Sequence, residues 1–332
     1  MAKRPLIGRL PVIRQLRQSV GLQRGMLVAG LVLTALFVLC ALLAPWIAPY
    51  SYSQLTDASG NNFGAQQPPS AAHLLGTTVG GFDVLSRVIW GAQTALMVVV
   101  VAVAMSVFIG ILLGLVSGYL GGWVDKTLVV IADAVYAFPT LLLAIVVAIA
   151  ISGGQSDLRS GIIAAAASIT VVFIPQYFRV VRAEVVRVKS EAFVESAKVI
   201  GASTPRIMFR HVLRNSTRTL PLIVTLNASE AISTLAALGF LGFGIQPTAA
   251  AEWGFDLNKS ISDVASGIWW TAIPPGVAIV LTILGITLIG ESLNDLADPR
   301  LRARRRANAK QTPQDAVATT QPTAQEILGE VP

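Results

Sequence analysis

The chain is predicted to be an all-α membrane protein with six transmembrane helices and both termini in the cytoplasm. Three observations predict it. Of its 332 residues, 54% are hydrophobic and 13% are charged, about half the charge of a soluble domain. The apolar residues gather in runs long enough to cross a bilayer. The basic residues flank those runs: of 25 Lys and Arg, six fall in residues 1–26, nine in 179–218 and six in 300–310. A net charge of +7 distributed in this way reports membrane topology and argues against a nucleic-acid partner.

The first span is Met26–Ala48, 23 positions without a charge, enough for a helix across a core of about 30 Å. A cleaved leader has an apolar stretch of about 7–15 residues. This run is longer and continues into Pro45-Trp46-Ile47-Ala48-Pro49, so it is read as an uncleaved anchor. Further spans are expected at 93–117, 128–151, 161–180, 220–243 and 270–292. With the amino terminus inside, 22 of the 25 basic residues lie in cytoplasmic segments, leaving Arg87, Arg159 and Lys259 outside. The reverse orientation inverts that count. Trp46, Trp90, Trp123, Trp269 and Trp270 fall near span ends, as an interfacial belt requires.

The expected organisation is a basic cytoplasmic segment 1–25, an anchor helix 26–48 and an extracellular segment 49–91. A transmembrane core 92–292 follows, with a cytoplasmic loop at 181–219, and then a cytoplasmic tail 293–332 that is disordered from about 307. The single cysteine, Cys40, allows no internal disulfide, and His73 and His211 have no neighbouring thiols. Neither a metal site nor an enzyme active site is expected from this chain. No Gly-x4-Gly-Lys-Ser/Thr run occurs, so energy must come from a partner or an ion gradient.

The most informative stretch is Glu191 to Leu213. Phe193, Ala197 and Ile200 fall at i, i+4 and i+7 and predict an apolar helical stripe. Gly201 then permits a backbone reversal, and Thr204-Pro205 reads as an N-cap followed by the first helical residue. On the second helix Met208 and Val212 share a face, while Arg206, Arg210, Arg214 and Arg218 line another. An isolated helix of about ten residues is marginal in water. Two readings fit: a hairpin lying on anionic headgroups, or an element docked into a groove of a soluble partner.

Within the spans, Asp133, Glu230 and Glu291 are the acidic groups. Glu230 sits at mid-span, where insertion costs about 2.5–3.5 kcal/mol. Asn227, Glu230, Ser233 and Thr234 make the fifth span the most polar, and they are the candidate lining of a translocation path. Pairing against another subunit explains Glu230 as well. Pro139 and Pro175 are expected to bend their helices. Gly110, Gly114 and Gly118 repeat at i+4 and are expected to allow close helix approach.

The chain resembles the permease subunits of bacterial ATP-binding-cassette importers, in the C-type dipeptide and oligopeptide branch. That family's loop signature is Glu-Ala-Ala, three residues, Gly, and then Ile/Val-Leu-Pro. Here it stands as Glu195-Ser196-Ala197, Gly201 and Val212-Leu213, with Ser196 for the middle Ala and Arg214 where these permeases carry Pro. Leu75-Gly76-Thr77 with Asp83-Val84-Leu85-Ser86-Arg87 resembles the branch's external motif, although Phe82 replaces an Arg and Thr78 an Asp. Ala137-Phe138-Pro139, Leu238–Gly244 with Gln246-Pro247, Trp253-Gly254, Gly290-Glu291 and Asp298-Pro299-Arg300-Leu301 extend the likeness over about 28–304.

The resemblance implies a type I importer fold in the bacterial plasma membrane. It also implies a homologous B-type permease, two cytoplasmic ATPase domains carrying ATP and Mg, and an external peptide-binding protein. This chain itself would bind no cofactor. Glu191, Glu195, Ala197, Gly201, Arg206, Arg210, Val212 and Leu213 become the expected ATPase-coupling loop. Asp83, Arg87 and Lys259 become candidate contacts for the binding protein; for Arg87, Arg159 and Lys259, scattered solvated charge fits equally well. Nickel-chelate and glutathione importers share these motifs. A gradient-driven carrier or membrane scaffold is the reading from a different class.

Overall fold

The computed structural model describes residues 22–152 and 158–297. The basic residues expected inside at 1–21 and 300–310, the Asp298–Leu301 signature and the tail from 307 lie outside the described residues. So does the side chain of Arg159. The described chain is helical, with no strand among its residues and only two isolated bridges, Thr56 with Asn62 and Thr77 with Asp83. Contacts divide it into two units, one holding 22–28 and 289–297 and the other 29–288.

Helix α1 covers Leu22–Ile47, α2 Val84–Leu120, α3 Gly122–Tyr136, α4 Thr140–Ser152 and α5 Leu158–Lys189. After the hairpin described below, α9 covers Leu220–Phe240, and α11 covers Ile273–Ala297. Among the described residues, five helices are long and apolar enough to cross a membrane, and α3 with α4 makes a sixth if the bent pair is one span. The expected single helix over 128–151 is corrected here: α3 and α4 meet at 98°. Pro139 sits at the break, where it can neither donate a backbone bond nor accommodate the preceding carbonyl. Pro175 behaves differently, because α5 runs through it as one element.

In the larger unit, α2 packs along α5. A Cβ on Gly114 would stand 2.9 Å from Phe178 O, and one on Gly118 would stand 2.8 Å from Val185 Cγ1. Gly110 sits closer still, against Tyr177. The glycine spacing thus brings two backbones together as expected. Ser106 Oγ donates to Thr170 O at 3.2 Å and Thr170 Oγ1 to Ala102 O at 3.3 Å, so these two hydroxyls find partners across the seam. In the smaller unit, Gln23 Nε2 donates to Ser292 O at 3.2 Å, and Glu291 is exposed.

Segment 48–83 has little regular structure but packs firmly. Tyr50, Phe63 and His73 form an aromatic cluster with ring centroids 4.6–5.4 Å apart. Trp90 donates to Tyr50 O at 3.1 Å, fixing the segment to α2.

Candidate functional site

The hairpin begins two residues after α5 ends. Its first arm, α6, covers Ala192–Val199. Gly201 takes φ +81°, a conformation L side chains rarely adopt. Ala202 N donates to Ala197 O and Gly201 N to Lys198 O, both at 3.0 Å. These are the two bonds of a Schellman closure. Ser203, not Thr204, is the N-cap of the second arm, with φ −65° and ψ 148°. That arm runs as α7 (Thr204–Arg206), a π-helical turn over Ile207–Val212, and α8 (Leu213–Ser216). The π turn is closed by Leu213 N donating to Met208 O.

The two arms bury Val194, Ala197, Ile207, Met208 and Val212. The expected stripe through Phe193 and Ile200 is therefore corrected. Helix α6 stops at Val199, so Ile200 falls beyond its periodic face, and Val194 takes the inward place. Ile200 is 83% exposed and Val199 86%. Glu191, Glu195, Arg206 and Arg210 are also exposed, whereas Ala197 and Val212 are buried and Leu213 is half-buried. The buried residues of the two arms join the same continuous core as Val185 and Val188 of α5, so the hairpin is held against α5 while presenting aliphatic and acidic groups outward at its knuckle.

On α9 the candidate path residues divide. Asn227 and Thr234 are buried, and Glu230 and Ser233 are exposed. Asn227 and Thr234 are two helical turns apart, so they face the same way and away from Ser233. Glu230 lines a cavity of about 400 Å³ with Tyr136–Thr140 at the α3–α4 break and Phe173 and Gln176 of α5. The broken helix therefore opens polar space beside the mid-span carboxylate. Sequence reasoning singled out both Pro139 and Glu230, but nothing in it placed them together.

The third constellation is buried and was read differently from the sequence. Asp83 is the N-cap of α2, accepting from Ser86 N at 2.8 Å and meeting His73 Nδ1 at 2.9 Å. Arg87, only 1% exposed, donates through Nε to Asp256 Oδ1 and Oδ2 at 2.8 and 2.9 Å. Its Nη1 reaches Tyr52 O at 3.0 Å and Pro247 O at 3.3 Å. Asp83 and Arg87, expected as contacts for an external protein, are instead turned inward: a charge near the start of a span has carbonyls and carboxylates to satisfy there. Of that trio only Lys259 stays exposed, its Nζ 5.2 Å from the centroid of the Phe255 ring.

Asp256 lies on α10 (Trp253–Lys259), which Glu252 caps by accepting from Gly254 N and Phe255 N at 2.8 Å each. Gly239 and Gly244 leave room for that carboxylate; a Cβ on Gly244 would lie 2.9 Å from Glu252 Oε2. Burial pushes the Glu252 carboxyl up to about 8 against its two backbone donors. Burial also raises Asp256, opposed by Arg87. Trp253 donates to Val88 O at 3.0 Å and closes over Gly91.

Apolar spans, a polar cavity at a broken helix and an exposed hairpin between spans together describe a multi-pass membrane permease. Residues 110–303 match the family model described as binding-protein-dependent transport system inner membrane component. Residues 22–69 match the N-terminal transmembrane domain of oligopeptide transport permease C. The chain belongs to this permease family, in its peptide and oligopeptide C-type branch. It is 37% identical over 276 residues to the dipeptide transport system permease protein DppC of Alkalihalophilus pseudofirmus, covering 83% of this chain and 86% of that one. It is 39% identical over 286 residues to the glutathione transport system permease protein GsiD of Salmonella paratyphi A, covering 86% and 88%.

Proposed function

We propose that this chain is one transmembrane subunit of an ATP-driven importer, forming half of the translocation pathway for dipeptides or oligopeptides handed over by an external solute-binding protein. A homologous B-type permease supplies the other half. Two cytoplasmic ATPase domains carry the ATP and Mg, and this chain performs no bond chemistry. In this reading α3 and α4 form one bent span, giving six, with both termini on the cytoplasmic side of the bacterial plasma membrane.

The observation that carries the reading is the hairpin knuckle. A Schellman turn at Gly201 holds exposed Val199 and Ile200 one helical turn from exposed Glu195, and no described residue covers them. Aliphatic side chains held rigidly in water fit a groove on a soluble partner better than they fit solvent. Because the hairpin follows α5 and leads into α9, a partner that moves it moves both spans. Closure of the ATPase domains would draw the knuckle with them, and the cavity beside Glu230 would open to the external side for peptide release. Hydrolysis resets the spans.

The test is Gly201→Val combined with Glu195→Arg in the reconstituted importer. Membrane insertion is expected to persist while substrate-stimulated ATP hydrolysis is lost; unchanged stimulation would remove the hairpin from coupling. The glutathione permeases among the relatives favour a second cargo for the same machine, a small thiol peptide. Competition for uptake between a dipeptide and glutathione separates the two. A gradient-driven carrier would instead show uptake that survives ATP depletion.

A further inference from the structure

The second arm of the hairpin carries arginines unlike the others near this end of the spans. Arg179, Arg182 and Arg187 each pair with a carboxylate, at 2.8, 2.5 and 2.8 Å. Arg210, Arg214 and Arg218 have no carboxylate partner among the described residues. Arg218 donates to Asn215 Oδ1 at 2.7 Å, and Asn215 Nδ2 donates to His211 O at 2.8 Å. With Phe193, these groups line a single hollow of about 490 Å³.

The three arginines come from three successive pieces of backbone. Arg210 lies in the π turn over Ile207–Val212, Arg214 in α8, and Arg218 in the turn between α8 and α9. All three line the same space. Three guanidinium groups without a counter-charge in one hollow repel one another, and an anion removes that penalty. Arg218 stands two residues before Leu220, where the candidate span α9 begins, so one edge of the hollow adjoins the start of that span.

We propose that this hollow binds the phosphate headgroup of an anionic phospholipid in the cytoplasmic leaflet. Guanidinium groups match phosphate oxygens through paired N–H donors, and Asn215 holds Arg218 in place to do so. Phe193, 42% exposed on the hollow's wall, gives the lipid's glycerol and upper acyl carbons an apolar surface. The knuckle and this hollow then serve two partners: aliphatic and acidic groups at Glu195–Ile200 meet protein, and the arginines of the second arm meet lipid. The proposal depends on the function proposed above only for the leaflet the hairpin faces.

The experiment is native mass spectrometry of the full chain, extracted in mild detergent and supplied in turn with dioleoylphosphatidylglycerol, dioleoylphosphatidylcholine or inorganic phosphate. Selective retention of the phosphatidylglycerol is expected. Arg214→Gln should reduce it about fivefold, as removal of one cation from an anionic headgroup does. Arg214→Lys should retain most of it, separating loss of charge from loss of fold. Lys198→Gln, which removes a charge from the hairpin but not from the hollow, should leave retention unchanged. Equal retention of the two lipids, or indifference to Arg214→Gln, overturns the proposal. Displacement of the lipid by millimolar inorganic phosphate points to a free-anion site and also overturns it. So does an Arg214→Gln variant that keeps its lipid but no longer co-purifies with ATPase subunits, because the hollow would then belong to a protein contact.

Discussion

The hairpin and the Arg87 cluster are built from the same residue types and use them oppositely. In the cluster each ionisable group named is buried or nearly so and matched: Arg87 with Asp256, Asp83 with His73, Glu252 with two backbone amides. In the hairpin the charges are exposed, and only the small apolar set inside is satisfied. Composition does not separate a fastening from a docking surface. Burial and partner count do, because an unpaired ion is tolerated only where water or a ligand can reach it.

The contrast makes predictions that run from large effects on stability to small ones. Arg87→Ala should be the most damaging, since it strands Asp256 beneath the surface; breaking a buried pair costs about 3–5 kcal/mol. Thermal unfolding of the detergent-solubilised protein, followed by size-exclusion fluorescence, should show the loss. A variant as stable as the parent would mean that the cluster is not a fastening. Gly114→Leu forces apart the α2–α5 seam, and overpacking of this kind costs about 1–3 kcal/mol; the same thermal assay reads it.

Glu252 sharpens the comparison through pH. Its carboxyl is raised from 4.5 to about 8 in the folded chain. The stabilisation linked to it is therefore fully present below about 4.5 and is lost as pH rises through about 8. Melting temperature should fall across that window, and Glu252→Gln should flatten the slope. If the parent's melting temperature does not change over this range, the carboxyl is not held in its neutral form. The smallest effect on stability is expected at Ile200→Asp, within about 0.5 kcal/mol as for surface changes in general. Its effect on substrate-stimulated ATP hydrolysis should nevertheless be the largest of these variants. A coupled Ile200→Asp transporter would return the knuckle to plain surface.

Much of the architecture was legible because apolar runs and flanking charges obey simple physics. The spans follow from length and hydropathy, and the glycine seam from the spacing of Gly110, Gly114 and Gly118. Gly201 was legible as a reversal because few other residues accept its φ. The sharp angle between α3 and α4 was half legible: Pro139 marks a bend, but the same residue type at Pro175 leaves α5 continuous, and local sequence cannot tell them apart. The direction faced by Phe193 and Ile200 was missed because α6 is too short for periodicity to fix its inner face. Arg87 and Asp83 were misread because their partners, Asp256 and His73, arrive from elsewhere in the chain. The acidic residues at 252 and 256 flanking Trp253-Gly254 were the available signal for that cluster.

The seam of glycines also has a mechanical meaning. With side chains absent along one edge, α2 and α5 lie backbone to backbone and slide poorly past each other, so they behave as one stiff plank. Its α2 edge is riveted near one end by Arg87 to Asp256, and its α5 edge turns directly into the hairpin. In the coupling proposed above, a tug at the hairpin would pass along α5 and α2 to the Arg87–Asp256 end with no soft joint in which to dissipate.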